Sequence, residues 1–231
     1  MSTPVTIREA ATVALLRDRC AQLEVLLLRR HSAHVFAANA YVFPGGAVDR
    51  ADGDAGLAAR VAGGLEYAEA CLGDTGAPTA YWTAAIRECF EEAGMLIACE
   101  AGHVEADRHR RLRDALNNGD MPWAAVIDAL DLTFHLERLV YFSHWTTPAG
   151  APKRYSTRFF AAHAPVGQQA LCDGSETIQA WWARPADALA ACERGEIHLM
   201  TPTRATLRRL AGYADASAAL DGLAERITVQ A

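Results

Sequence analysis

Apolar and polar positions along this 231-residue chain follow two rhythms, one of short runs and one of helical spacing. Near the start, Ala11-Thr12-Val13-Ala14-Leu15-Leu16 and the apolar stretch at 23–28 are separated by Asp18-Arg19 and closed by Arg29-Arg30. Runs of this length between polar residues predict two buried strands joined as a β-hairpin. Residues 31–40 are too polar and irregular to extend the second strand. Tyr41-Val42-Phe43 predicts a third, entering a Pro44-Gly45-Gly46 turn whose glycines permit positive φ. Between 51 and 73 Ala, Gly and Leu dominate, and 57–62 and 65–72 predict helices broken at Gly63-Gly64. A loop is expected over 73–78. A helix over 79–93 stops at Gly94, a residue suited to the position after a helix end.

Further along, 95–98 predicts a strand, and 103–130 predicts two helices broken near Asn117-Asn118-Gly119-Asp120 and Pro122. Strands are expected at 139–146, 155–162 and 177–183. Pro185 opens a helix at its first position, and the tail over about 203–227 reads as helical. No repeat or long flexible linker interrupts this order, which predicts one α/β domain over 1–231 with a helical insertion at about 53–78.

Composition narrows the class. With 51% hydrophobic and 22% charged residues, 17 Gly, 9 Pro and 6 Cys, the chain is neither collagen-like, low-complexity nor a disulfide scaffold. No apolar run approaches the roughly 18 residues of a membrane span, and Met1-Ser2-Thr3-Pro4-Val5 opens no signal peptide. None of the cysteines forms a CxxC pair, so free thiols in a reducing cytoplasm are expected. The formal charge of −6 argues against nucleic-acid polymers and anionic membranes as partners, while leaving room for a local basic pocket.

Candidate chemistry concentrates in Arg87-Glu88-Cys89-Phe90-Glu91-Glu92-Ala93-Gly94-Met95. At about 100° per residue, with Glu88 at zero, Glu91 falls near −60° and Glu92 near +40°, so the three carboxylates share one face. Trp82, Ile86, Cys89, Phe90 and Ala93 fall between about 100° and 200°, a packing face. Arg87 lies one turn before Glu91 and can pair with it. Carboxylates so crowded repel unless protonated or neutralised. Hard oxygen ligands of this kind favour Mg²⁺ or Mn²⁺, which bridge protein carboxylates to substrate phosphates.

These residues resemble the Nudix hydrolase box, G-x5-E-x7-R-E-U-x-E-E-x-G-U, whose charged and glycine positions in the second half are matched from Arg87 to Gly94. A chance match in a chain this long is on the order of 10⁻⁵ to 10⁻⁴. The first half admits two frames. Counting back from Arg87 puts Gly73 in place but Thr79 at the Glu position. Counting forward from Phe43-Pro44-Gly45-Gly46 puts Asp52 there, with Arg87 arriving 27 residues late. The second frame is preferred, because it keeps an acid and treats the intervening segment as an inserted helical hairpin. A box split this way, after Val-Phe-Pro-Gly-Gly-Ala-Val-Asp at 42–49, is similar to the coenzyme A diphosphatase branch of the family and its bacterial relatives. Leu26-Leu27-Leu28-Arg29-Arg30, Arg154-Tyr155-Ser156-Thr157-Arg158-Phe159-Phe160 and Trp181-Trp182 suit that branch too.

The resemblance implies a Nudix α/β/α sandwich, a mixed sheet between helices, with the insertion and C-terminal helices added. It implies a hydrolase of nucleoside-linked diphosphates, favouring coenzyme A or acyl-CoA and yielding 3′,5′-ADP and 4′-phosphopantetheine. ADP-ribose, a nucleotide sugar, a dinucleoside polyphosphate or a silent nucleotide-binding module are the alternatives. Glu88, Glu91, Glu92 and the Gly46 carbonyl would hold metal, Arg87 would orient the cluster, and Glu88 or Glu176 would act as base. Many Nudix proteins are homodimers, but no interface is legible here. Arg30, Arg154 and Arg158 are candidates for gripping the diphosphate, since the guanidinium fork matches phosphate oxygens. His31 and His34 make a weak metal pair, and Trp181 and Trp182 are better read as packing residues than as a stacking platform.

Overall fold

The computed structural model describes residues 5–32, 38–72, 77–102, 105–225 and 227–230. His34 and positions 73–76 of the expected loop lie outside them. The hairpin forms as predicted from β1 (Ile7–Arg19) and β2 (Gln22–Arg30), with Leu16 opposite Val25 and Arg19 opposite Gln22. Then come β3 (Ala40–Val42), β4 (Gly45–Ala47), a 3-10 turn (Arg50–Gly53), α1 (Ala55–Ala58), β5 (Val61–Gly63), α2 (Leu65–Leu72) and α3 (Thr79–Ala93). The middle of the chain gives β6 (Cys99–Glu100), α4 (Ala106–Asn117), α5 (Trp123–Leu130), β7 (Thr133–His135), β8 (Val140–Thr146) and β9 (Arg154–His163). It ends in β10 (Thr177–Ala183), α6 (Pro185–Glu193), β11 (His198–Leu199), α7 (Thr201–Leu210), α8 (Ala216–Ala224) and β12 (Thr228–Gln230).

The main sheet is mixed and runs β11-β3-β2-β1-β9-β8-β12, with β10 also on β2 and β4 also on β1. Its spine is the parallel pair β1 and β9, in register from Ile7 opposite Arg154 to Leu16 opposite His163. Strand alternation sends β1 side chains to two cores. Ala11, Val13 and Leu15 pack with Ile86, Cys89 and Phe90 of α3, whereas Ala14 and Leu16 pack with Leu207, Leu210 and Leu223 of α7 and α8. Helices therefore cover both faces. Fully buried Trp82 anchors α3, with its ring 4.7 Å from Phe160 and its Nε1–H donating to the Leu139 carbonyl at 3.2 Å.

Three local expectations are corrected. The helix expected at 57–62 ends at Ala58, and Val61–Gly63 is a strand, parallel to β7 in a second sheet β5-β7-β6. Tertiary pairing wins there, since Phe134 N–H donates to the Arg60 carbonyl at 2.7 Å. The insertion is thus helix, strand and helix rather than a helical hairpin. The strand expected at 95–98 is a loop. The Leu96 N–H and carbonyl are satisfied by the Gln168 side-chain amide at 2.9 and 3.2 Å, leaving no ladder to build. The glycine turn after Phe43 continues as a strand, because Gly45 to Ala47 pair with Thr12 to Ala10. At Gly45, with φ +154°, a Cβ would stand 2.4 Å from the Ala11 carbonyl oxygen.

The turn between β1 and β2 uses two residues with positive φ, Cys20 at 51° and Ala21 at 58°, where Asn-Gly is the favoured pair. Left-handed backbone costs an L-residue roughly 1–2 kcal/mol. Replacing Cys20-Ala21 by Asn-Gly should raise stability in urea denaturation by about 1 kcal/mol or more; unchanged or lower stability would contradict this reading of the turn.

Candidate active site

α3 runs from Thr79 to Ala93, and Gly94, with φ of 67° and its N–H donated to the Phe90 carbonyl (3.0 Å), closes the helix as predicted. Its acidic face is not a solvated one. Glu92 is 3% exposed and Arg87 6%, because that face lies against β4 and the 3-10 turn. All five guanidinium N–H donors of Arg87 find acceptors. Nε and Nη2 grip Asp52 Oδ1 and Oδ2 at 2.9 Å each, Nη2 also reaches the Ala47 carbonyl at 2.9 Å, and Nη1 bridges Glu88 Oε1 (2.9 Å) and Glu91 Oε2 (2.8 Å). The expected Arg87–Glu91 pair is therefore present within a larger network.

The choice between Asp52 and Thr79 is decided by the same geometry. Asp52 is 1% exposed, bidentate to Arg87, and takes the Asp49 N–H on Oδ2 at 2.8 Å. Thr79 only lends its carbonyl to Thr83. The 3-10 turn carries the carboxylate inward and makes up for the missing methylene.

Around this clamp negative charge exceeds positive. Burial pushes the Glu88 carboxyl up to about 8; Arg87 opposes this, while Glu91 and Glu176 add to it. Glu92 is pushed well above the usual range by burial and by Glu88 and Glu176, against the pull of the Gly45 N–H (2.9 Å) and Arg30. Glu91 is raised by burial despite Arg87. For Arg87, burial works against the charge, but Asp52, Glu88 and Glu91 outweigh it and raise its pKa. Gly46 lets the backbone approach closely, since a Cβ there would stand 2.5 Å from Glu88 Oε1.

These groups line a cavity of about 790 Å³. It also takes in Arg30, Gly46 and Glu176, so most of the candidate residues are brought together. Glu176 is exposed on the loop before β10, and its carbonyl accepts the His31 N–H at 2.9 Å. Asp173 is occupied within that loop. Burial opposes its charge, but the N–H groups of Glu176 and Thr177 and the hydroxyls of Ser175 and Thr177 bring its pKa down to about 2.

Arg154 and Arg158 do not line the cavity. They share a strand face as their spacing requires, but Tyr155, Thr157 and Phe159 face the cavity instead. Arg154 donates to the Thr147 carbonyl at 3.0 Å; Arg158 pairs with Glu9 at 2.6 Å and lies 4.6 Å over the Tyr81 ring. Trp181 packs edge-on against Tyr41 and Trp182 lies under Arg17, so neither reaches the cavity. His31 is half-buried at the end of β2.

Sequence reasoning missed the support from α4. Arg113, 7% exposed, holds the Glu91 carbonyl through Nε (3.0 Å) and Nη2 (2.8 Å), and Asn117 reaches the same oxygen at 3.1 Å. The basic run Arg108-His109-Arg110-Arg111-Leu112-Arg113 hides this, because only the helix's packing singles Arg113 out.

Among the described residues no three His, Cys, Asp or Glu side chains stand close enough to chelate one ion as they are placed. Arg87 holds one oxygen each of Glu88 and Glu91. The donor set nevertheless fits a hard divalent cation, because burial raises all three carboxyls and a cation would offset the charge they carry when ionised.

A mixed sheet between helical layers, with a buried arginine locking an acidic helical turn beside a glycine strand, defines a class. The chain belongs to the Nudix family, in the branch described by the NUDT19 Nudix domain, which matches residues 68–210. It is 31% identical to a NUDIX hydrolase from Alicyclobacillus acidocaldarius of known crystal structure, covering 94% of this chain and 96% of that one, with a TM-score of 0.81. It is 27% identical over 194 residues to putative nudix hydrolase 7 of Caenorhabditis elegans, covering 83% of this chain and 57% of that protein. It is also 27% identical over 231 residues to the human acyl-coenzyme A diphosphatase NUDT19, covering 84% of this chain and 62% of that protein. The chain therefore spans less than two thirds of the length of these two relatives. No described helix is long and apolar enough to cross a membrane.

Two outcomes check the site. Asp52→Ala leaves Arg87 buried with an unpaired fork and should destabilise the fold by about 3–5 kcal/mol, whereas Thr79→Ala should stay within about 1 kcal/mol; equal effects in chemical denaturation would contradict the Asp52 assignment. Carboxyls whose pKa rises on folding stabilise the protein fully below their unfolded value, and that stability is lost as pH rises through the folded one. With Glu88 titrating at about 8, the melting temperature in EDTA should fall from pH 5 toward pH 9. A flat or rising profile across that window would contradict the crowding described.

Proposed function

We propose that this protein is a divalent-cation-dependent pyrophosphohydrolase that cleaves the diphosphate of coenzyme A or acyl-CoA. The observation that carries the reading is the single turn of α3 that brings Glu88, Glu91 and Glu92 to one cavity, where burial and their mutual repulsion resist ionisation without a cation. The names of NUDT19 relatives in human and chicken, acyl-coenzyme A diphosphatase at 27% and 28% identity, support the choice of substrate.

Glu88, Glu91, Glu92 and the Gly46 carbonyl would hold Mg²⁺ or Mn²⁺. Such an ion, when bound, offsets the diphosphate charge and acidifies water. The chain's own part is to position and to move a proton. The Asp52–Arg87 clamp fixes the Glu88 and Glu91 carboxylates, and Arg113 fixes the backbone beneath them. Glu88 and Glu176 are the carboxylates available to take the proton of the attacking water. Arg30 lines the cavity, and its buried Nε has no hydrogen-bond partner among the described residues, so its fork is free to grip phosphate oxygens.

Coenzyme A with Mg²⁺ should give 3′,5′-ADP and 4′-phosphopantetheine by mass, with activity abolished by EDTA. Glu92→Gln should lower kcat by at least ~10²-fold with an unchanged circular dichroism spectrum. ADP-ribose, a nucleotide sugar and a dinucleoside polyphosphate belong in the same panel. Preferred cleavage of one of them would overturn the substrate, and metal-independent turnover would overturn the chemistry.

A further inference from the structure

The loop before β10 has little regular structure, yet its last residues are closely bonded. Asp173 sits at their centre. Its carboxylate accepts the N–H groups of Ser175 (3.1 Å), Glu176 (2.8 Å) and Thr177 (2.8 Å). The Ser175 hydroxyl donates to the same carboxylate, and the Thr177 hydroxyl lies 2.7 Å from its Oδ1. Burial opposes the charge of Asp173, but these bonds bring its pKa down to about 2, so it stays ionised at neutral pH. Hydrogen bonds to an ionised acceptor are the stronger kind. From the other side, the Glu176 carbonyl accepts the His31 N–H at 2.9 Å. Both backbone groups of Glu176 are therefore held.

The loop is also tied to α3. The Leu171 N–H donates to the Ala93 carbonyl at 2.9 Å, and the Gln168 amide holds both backbone groups of Leu96. Fully buried Thr177 brings its hydroxyl to 3.1 Å from the Glu92 carbonyl, so its single proton has an acceptor on either side. A bulge aims it there. Thr177 pairs with Arg30 and Gln179 with Arg29, which leaves Ile178 unpaired and exposed while Thr177 turns inward. Bulges beside a site re-aim side chains in this way. The Glu176 side chain, by contrast, lines the cavity and enters no hydrogen bond or ion pair with a described residue. Glu88 is already engaged. Arg87 Nη1 holds its Oε1 at 2.9 Å, and a Cβ at Gly46 would stand within 2.6 Å of both its oxygens.

We infer that Asp173 and Thr177 are positioning residues for the reaction, fixing Glu176 beside the acidic turn of α3 as the carboxylate that takes the proton of the attacking water. The inference rests on the diphosphatase reading above and deepens it, because it chooses between the two carboxylates left available there. As the water oxygen bonds to phosphorus, one water proton passes to a Glu176 oxygen. The bridging P–O bond breaks, and its electron pair leaves on the departing phosphate. An exposed glutamate on a loose loop would have to find its orientation in every turnover. A backbone fixed on both sides of Glu176, and joined to the turn that carries Glu92, removes part of that freedom, and a misplacement of about 1 Å can cost on the order of 10²-fold in rate.

A double-mutant cycle on coenzyme A turnover in saturating Mg²⁺ tests this. Glu176→Gln should lower kcat by at least ~10²-fold. Asp173→Asn should lower kcat about tenfold or more and leave KM within about twofold. In the Glu176→Gln background the same change should cost no more than about twofold, because the carboxylate it positions is gone. Thr177→Val should repeat this pattern, and it decides the matter should Asp173→Asn not fold. A residue that only supports the loop would lower the melting temperature and would reduce kcat by the same factor in both backgrounds. That multiplicative result would overturn the inference, and so would a near-normal rate for Glu176→Gln, which would leave Glu88 as the base. Should the unaltered protein prefer another diphosphate of the panel, the substrate falls and the cycle is read on the preferred compound. Absence of metal-dependent turnover of every diphosphate by the unaltered protein would overturn the proposed reaction, and the positioning role with it.

Discussion

One buried guanidinium organises the acidic cleft. Arg87 spends all five of its donors on two structural acceptors, Asp52 and the Ala47 carbonyl, and on two carboxylates that face the cavity, Glu88 and Glu91. Removing a charge of this kind from water is unfavourable unless every donor is met in good geometry. The surrounding structure meets that demand from three directions. The 3-10 turn brings Asp52, β4 brings Ala47, and α3 brings the glutamates one and four residues on. The site is rigid because its parts are held by a group that cannot lose its proton and cannot be left unpaired.

The same constraint explains why the cleft stays electron-rich. Arg87 neutralises part of the charge of Glu88 and Glu91, while Glu92 accepts the Gly45 N–H and feels the charge of Arg30. Burial raises all three carboxyls together. A surface optimised for stability alone would not keep three acids this close. Their strain is the physical reason to expect a divalent cation there, and the glycines of β4 are the reason that backbone approaches so near. The helical layer on the other face of the sheet then completes the cavity with a wall that carries no charged side chain.

Much of this was legible in the sequence, and the misses have identifiable causes. α3 was readable end to end because its apolar spacing, its acids and Gly94 agree with one another. The Asp52 clamp was readable only as a preference between two frames, since the chain pattern gives the charge but not the turn that delivers it. Local pattern failed at Val61, where pairing with β7 overrides helix propensity, and at 95–98, where a glutamine side chain stands in for a strand partner. Arg154 and Arg158 were placed on one face by period-two spacing, but spacing does not say which face meets the cavity. Arg113 became visible only through packing, because a buried arginine in a basic helix looks ordinary in a sequence.

Whether the acidic turn of α3 gathers divalent cations and turns them on a diphosphate is open to crystallography. The measurement is an anomalous difference map from crystals grown with Mn²⁺ and a methylene-bridged, non-cleavable analogue of the coenzyme A diphosphate. Peaks are expected at about 2.0–2.3 Å from carboxylate oxygens of Glu88, Glu91 or Glu92, with the analogue's phosphates on the same ions and the Arg87–Asp52 fork intact. Well-ordered analogue in the cavity with no metal on those glutamates would contradict it.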